Sequence, residues 1–179
     1  MRPNGAASPS VCRRFEGMSE LDRVRVWADA LLRLHLDETW SFGFDNAKRR
    51  AGLCNFTARR ITLSRYLTAR YDDDTNHQTL LHEVAHAIAG ADAGHGAAWR
   101  RVADELGYIG GVTHHGETAT ELAPWVGTCP AGHIVYRHRR PTRAASCVQC
   151  SPRYDERHAL RWTKREITAA DRRAALSSA

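Results

Sequence analysis

Behind Ser19, the residues Leu21, Val24, Trp27, Ala28, Leu31 and His35 recur at intervals of three and four. That is the period of a helix with one buried stripe, and Ser19 supplies its N-cap, so a helix is expected to run to about Leu36. The period then changes. In "TWSFGFD", Trp40, Phe42 and Phe44 alternate with smaller or polar residues, as in a strand with one buried face. "GLCNF" and "RITLS" predict two more strands joined by a turn at residues 57–59, with Cys54 as a small buried residue. A helical turn follows near Tyr66. Next comes a longer helix, with Thr75 and Gln78 in capping-box spacing, Leu80, Leu81, Val84, Ala85 and Ile88 as its apolar face, and Gly90 at its end. A third helix is expected over residues 97–106, closed by Gly107. The class predicted is α+β, with helices packed on a small antiparallel sheet.

The longer helix carries the chemistry. It contains "HEVAH": His82 and His86 are four residues apart and so lie one above the other on one helical face. That spacing lets two imidazoles converge on one zinc, with Glu83 beside them to handle a proton. A catalytic zinc needs a third protein ligand and a fourth position open to water. His95, set between Gly94 and Gly96 just ahead of the next helix, is the favoured candidate, because the glycines free the backbone to turn it back. Asp92 and His77 compete. The triplet at residues 72–74 is read as acidic residues ahead of a helix N-terminus rather than as a cation site.

A second cluster lies downstream. Cys147 and Cys150 form a CxxC, and Cys129 with His133 forms an upstream half, so three cysteines and one histidine could close around a structural zinc. His138 competes with His133 for the fourth position. A closed site of this kind folds a segment too short to build its own core. Two zinc ions are therefore expected, one catalytic and one structural.

Composition narrows the setting. Of 179 residues, 42% are hydrophobic and 26% charged, as in ordinary globular proteins. No apolar run is long enough to cross a membrane, and "MRPNGAASPS" lacks the apolar segment of a secretory signal. Five cysteines, an odd number, fit metal binding in a reducing compartment better than a disulfide framework, so a cytoplasmic address is expected; the chain is also expected to be a monomer. The formal charge of +6 invites a nucleic-acid reading, although the near-exclusive use of arginine over lysine also follows from a GC-rich genome. The expected organisation is a disordered leader (1–17), a metalloprotease domain (18–122), a zinc-ribbon subdomain (123–163) and a basic tail (164–179).

Taken in order, "WSFGFDNAKRRAGLC", "ITLSRYL", "LLHEVAHAIAG" and "GHGAAWRRVADELG", followed by the ribbon, resemble the SprT-like metalloproteases, relatives of Spartan. The resemblance implies that His82, His86 and His95 hold the catalytic zinc and that Glu83 is the general base and acid. It implies a peptidase that degrades proteins crosslinked to DNA when DNA is bound. The second ribbon ligand is histidine here where relatives often have cysteine, and partner-recruiting tails like those of eukaryotic Spartan are not expected.

DNA contacts are expected from Arg137, Arg139, Arg140 and Arg143, with Trp125 and Trp162 as stacking platforms. Nothing resembles a major-groove recognition helix, so single-stranded or distorted DNA is the expected partner, alongside protein substrates. The oxyanion donor is left open among Tyr108, His114 and His115. Two rival readings stand: an HExxH regulatory protease independent of DNA, and a non-catalytic zinc-ribbon nucleic-acid-binding protein.

Overall fold

A computed structural model describes residues 17–111 and 118–177. The first helix, α1 (Glu20–His35), begins at Ser19, whose hydroxyl accepts the Asp22 N–H. It buries Val24, Ala28 and Leu32. The expected stripe was displaced at its ends: Leu32 is buried, whereas His35 is exposed. Three strands follow, β1 (Ser41–Asp45), β2 (Gly52–Asn55) and β3 (Arg60–Ser64), then a single helical turn, α2 (Arg65–Thr68).

The sheet is mixed rather than antiparallel. β2 and β3 form an antiparallel hairpin, but β3 lies at the centre and pairs in parallel with β1, giving the order β1-β3-β2. Alternation along a strand determines which face is buried, but not which neighbour it pairs with or in what direction. The consequence for function is that β2 is an edge strand.

The long helix α3 (Asp73–Ala89) starts earlier than its sequence pattern predicts. Asp72, not Thr75, is the N-cap, its carboxylate accepting the Thr75 N–H at 2.8 Å. The acidic triplet is thus helix-capping chemistry. The buried side of α3 presents Leu80 and Val84 to Ile61 and Leu63 of the sheet and to Val24, Ala28 and Leu32 of α1. This is the main core. Asn76 is 1% exposed and donates to the carbonyls of Thr68 and Tyr71, which fixes the start of α3 to the chain leaving α2. After a 3-10 turn at Ala91–Ala93 comes α4 (Ala97–Glu105), whose Trp99, Val102 and Ala103 pack on Ala85.

A second three-stranded sheet, fully antiparallel, has the order β5-β4-β6 and is built from β4 (Trp125–Thr128), β5 (Ile134–Arg137) and β6 (Arg161–Lys164). The stretch expected as a basic tail contributes a further helix, α5 (Ala169–Ala174), closed at its start by a Thr168–Asp171 capping box. Ala175 beyond it packs with Ala51, Tyr66, Leu67, Ala119 and Leu122, so the chain after the ribbon returns to the first domain. Among the described residues no helix is long and apolar enough to cross a membrane. The expected leader falls almost wholly outside the described residues.

Candidate metal centres

His82 and His86 project from α3, and His95 reaches back from the loop before α4. Their three Nε2 atoms lie 3.0, 3.1 and 3.2 Å apart. An imidazole nitrogen is either a donor or an acceptor, so three converging nitrogens cannot all satisfy one another by hydrogen bonds. They can share a cation. Three nitrogens at tetrahedral zinc distance stand about 3.3 Å apart, close to what is observed. The donor set therefore fits zinc in an open site. Asp92 is exposed on the 3-10 turn, and His77 stands edge-on against Trp27 at 6.0 Å; neither joins the cluster.

What holds the imidazoles in place is Trp99, which sequence reasoning missed. It is 2% exposed, and its ring lies 4.8, 5.4 and 4.7 Å from those of His82, His86 and His95. Its indole N–H points to the His82 carbonyl at 3.4 Å. The helical period of α4 could predict that Trp99 is buried, but not that it underlies all three imidazoles. Burial, and then the charge of His95, hold the His86 imidazole below its usual pKa, which keeps it neutral and able to ligate.

Glu83 is 7% exposed, and its carboxyl is pushed up to about 7 by burial. The positive charge of Arg50 and the Cys54 backbone N–H oppose that shift, and the charge of Asp45 adds to it. Arg50 itself is tied to Asp45 at 2.7 Å. The Glu83 carboxyl lies tight against β2. A Cβ on Gly52 would fall 2.5 Å from Glu83 Oε1, so only glycine permits this approach. A glycine inside a strand pattern is the sequence signal that could have revealed it.

Both Glu83 and His82 line a groove of about 570 Å³ that runs beside β2. Arg49, Gly52, Gln78 and Tyr108 complete its walls. The Tyr108 hydroxyl donates to the Gly111 carbonyl at 2.7 Å; burial and the charge of Glu83 raise its pKa, so it stays protonated. His114 and His115 lie outside the described residues.

The second cluster assembles across the ribbon. Cys129 and His133 flank the turn between β4 and β5, where Gly132 takes φ 84°, a left-handed conformation suited to glycine. The Cys147–Cys150 half is drawn in by the Cys147 N–H to the His158 carbonyl at 2.9 Å. His133 Nδ1 lies 3.6, 3.5 and 3.2 Å from the sulfurs of Cys129, Cys147 and Cys150, and the Cys129 and Cys150 sulfurs are 3.9 Å apart. A tetrahedral S₃N site would give about 3.6 and about 3.8 Å, so this donor set also fits zinc, in a closed site. Against the desolvation of its thiol, backbone N–H groups of His133 and Ala131 help to bring Cys129 down to about 7, which favours the ligating thiolate. His138 is not in the cluster. Burial, followed by the charges of Lys48 and Arg49, lowers its pKa, and its Nε2 is enclosed without a partner.

The aromatic residues of the ribbon are not bare platforms. The guanidinium of Arg137 lies 5.5 Å from the Trp162 ring centre and that of Arg140 lies 6.0 Å from Trp125. Both tryptophans are half-buried, and Trp162 rests on Gly127. Arg139 and Arg143 are exposed, and all four arginines line one cleft.

No curated protein and no solved structure matches the chain. The ribbon lies outside the family match, which covers most of α1, all of α3, the mixed sheet and the three histidines. That match is to the model of the SprT-like family over residues 23–120, more than half of the 179 residues, and the chain belongs to that family.

Proposed function

We propose that this protein is a zinc-dependent endopeptidase that cuts proteins held on DNA, and that DNA stimulates it. The observation that carries the peptidase reading is the convergence of three imidazole Nε2 atoms within 3.2 Å, beside a groove whose wall includes His82 and Glu83. Zinc bound to His82, His86 and His95 would acidify a water to a pKa of about 7 and polarise the scissile carbonyl. Glu83 takes a proton from the attacking water and returns it to the departing amine, a task suited to a carboxyl whose pKa lies near neutrality. The substrate enters as an extended segment through the groove, past Gly52 at the start of β2, where the walls impose little side-chain selection. Tyr108, at the groove wall, carries a protonated hydroxyl that can serve a developing oxyanion on leaving the Gly111 carbonyl.

A zinc held by Cys129, His133, Cys147 and Cys150 would keep the second sheet folded. It would thereby present Arg137, Arg139, Arg140 and Arg143, the Arg–Trp pairs fixing two of these guanidiniums, to single-stranded or distorted DNA. A protease loose in sequence preference needs another restriction. Tethering the substrate beside the groove supplies one by raising its local concentration.

The test is cleavage of a basic DNA-binding protein by the purified chain, with and without single-stranded DNA. Glu83→Gln should retain zinc and lose proteolysis, because an amide fits the space but cannot accept the proton. Stimulation by DNA should fade as salt rises, since each phosphate contact releases counterions. Equal rates with and without DNA at low salt would favour a DNA-independent regulatory protease with a purely structural ribbon. An active Glu83→Gln enzyme would remove the proposed chemistry.

A further inference from the structure

The chain between β1 and β2 carries Lys48, Arg49 and Arg50 in succession, and each has a different role. Arg50 is turned to Asp45, and the Lys48 carbonyl accepts the Ala119 N–H at 2.9 Å. The Ser64 hydroxyl donates to the Ala47 carbonyl at 2.6 Å, and the Ser64 N–H donates to Ala51 at 2.7 Å. The loop is therefore fixed on both sides of Arg49. Arg49 itself is exposed, and among the described residues it has no ion-pair partner.

Arg49 lines two cavities. One is the catalytic groove, with His82 and Glu83. The other is a cleft of about 600 Å³ between this loop and the ribbon, walled by Arg137, Arg139, Arg140 and Arg143. The cleft contains five arginines and no acidic residue, and none of the five pairs with a carboxylate among the described residues. Hydroxyls of Thr118, Thr120 and Thr142 add neutral donors, and the partnerless Nε2 of His138 lies in the same wall. Like charges gathered in a concavity repel one another unless an anion fills it, and a concave basic wall focuses the field on such a ligand. The planar guanidinium fork matches phosphate oxygens. The cleft is also larger than a single phosphate needs, which suits a chain of them.

We propose that the cleft between Arg49 and the ribbon is a phosphodiester-binding site that continues into the catalytic groove, with Arg49 as their shared wall. A single strand lying there keeps its backbone one residue away from the groove. Proteins are then cut in the segments next to their attachment to the strand, not throughout. This deepens the proposed function and rests on it for the substrate, but the binding site itself can be tested without proteolysis.

The measurement is the affinity of the zinc-loaded full chain for a short fluorescent single-stranded DNA across a salt series. Arg49→Ala should weaken binding and reduce the slope of log K against log salt by about 0.7, the value of one phosphate contact to a single strand. Arg49→Glu should weaken binding further, and Arg49→Lys should retain the slope, since it keeps the charge. Arg101→Ala, an exposed arginine on α4, should leave both quantities at the wild-type level. Melting curves identify any variant that has lost its fold, in which case the comparison of Arg49→Lys with Arg49→Glu decides. Wild-type slopes in both Arg49→Ala and Arg49→Glu would overturn the site. So would a wild-type chain that does not bind the strand. An Arg49-dependent slope without DNA-stimulated cleavage would support the site and overturn the DNA-stimulated function.

Discussion

Gly52→Ala tests how Glu83 is held. The added methyl would lie 2.5 Å from Glu83 Oε1, 2.6 Å from Cγ and 2.8 Å from Cδ. Carbon contacts are comfortable at about 3.5 Å or more, so the carboxyl must move by about 1 Å or the strand must yield. The strand is constrained, because Gly52 pairs with Leu63, whose side chain lies in the main core. Glu83 has little room, being 7% exposed. A displacement of about 1 Å in a reacting group costs on the order of 10²-fold in rate, about 2.7 kcal/mol of transition-state stabilisation. Overpacking adds a stability loss of about 1–3 kcal/mol. The three imidazoles stand on α3 and the loop before α4, so zinc content should remain at the wild-type level. Steady-state kinetics on a protein substrate, elemental analysis and a melting curve together read these effects. The loss should fall on kcat and kcat/KM alike, because proton handling belongs to the transition state. A folded, zinc-loaded Gly52→Ala enzyme with wild-type kcat would refute the close approach of β2 as the constraint on Glu83.

Trp99→Ala should destabilise the fold by about 3–5 kcal/mol and lower the zinc held by the histidines, whereas Trp99→Phe should recover much of both; unchanged zinc affinity in the alanine variant would remove the ring's positioning role. Elemental analysis should find two zinc ions per chain, and Cys147→Ser with Cys150→Ser should lose one of them; the thiolate site should also resist chelators at neutral pH longer than the histidine site. Burial alone would raise the Asp45 carboxyl, but the Ala47 N–H, Arg50 and Thr62 outweigh it and hold its pKa below the usual range. Its folded pKa is thus lower than its unfolded one, so its contribution is complete above the ordinary carboxylate range and disappears as pH falls through the lowered value. Urea unfolding should therefore show Asp45→Asn less stable than wild type at neutral pH, with the difference shrinking in acid; a pH-independent difference would contradict it.

Much of this protein could be read from local sequence. The spacing of His82 and His86, the cap at Ser19, the hairpin of β2 and β3 and the Cys147–Cys150 half-site all follow from helical period, strand alternation and ligand chemistry, which act over a few residues. The start of α3 was misplaced because Thr75 and Asp72 both offer cap chemistry, and the choice between them depends on where the preceding chain leads. Other features depended on distant parts of the chain meeting. Alternation could not say that β3 would insert beside β1 and leave β2 as the edge. Nothing near His95 in sequence says that Trp99 packs beneath all three imidazoles. Gly52 and Glu83 are far apart along the chain and meet only because α3 packs on the sheet. The shared wall at Arg49 exists because the ribbon folds back over the loop between β1 and β2, held in part by the helix that follows it. Residue types and their spacing determined which atoms could bind metal or move a proton. Tertiary packing decided which surfaces those atoms face, because burial and long-range contact are properties of the whole chain.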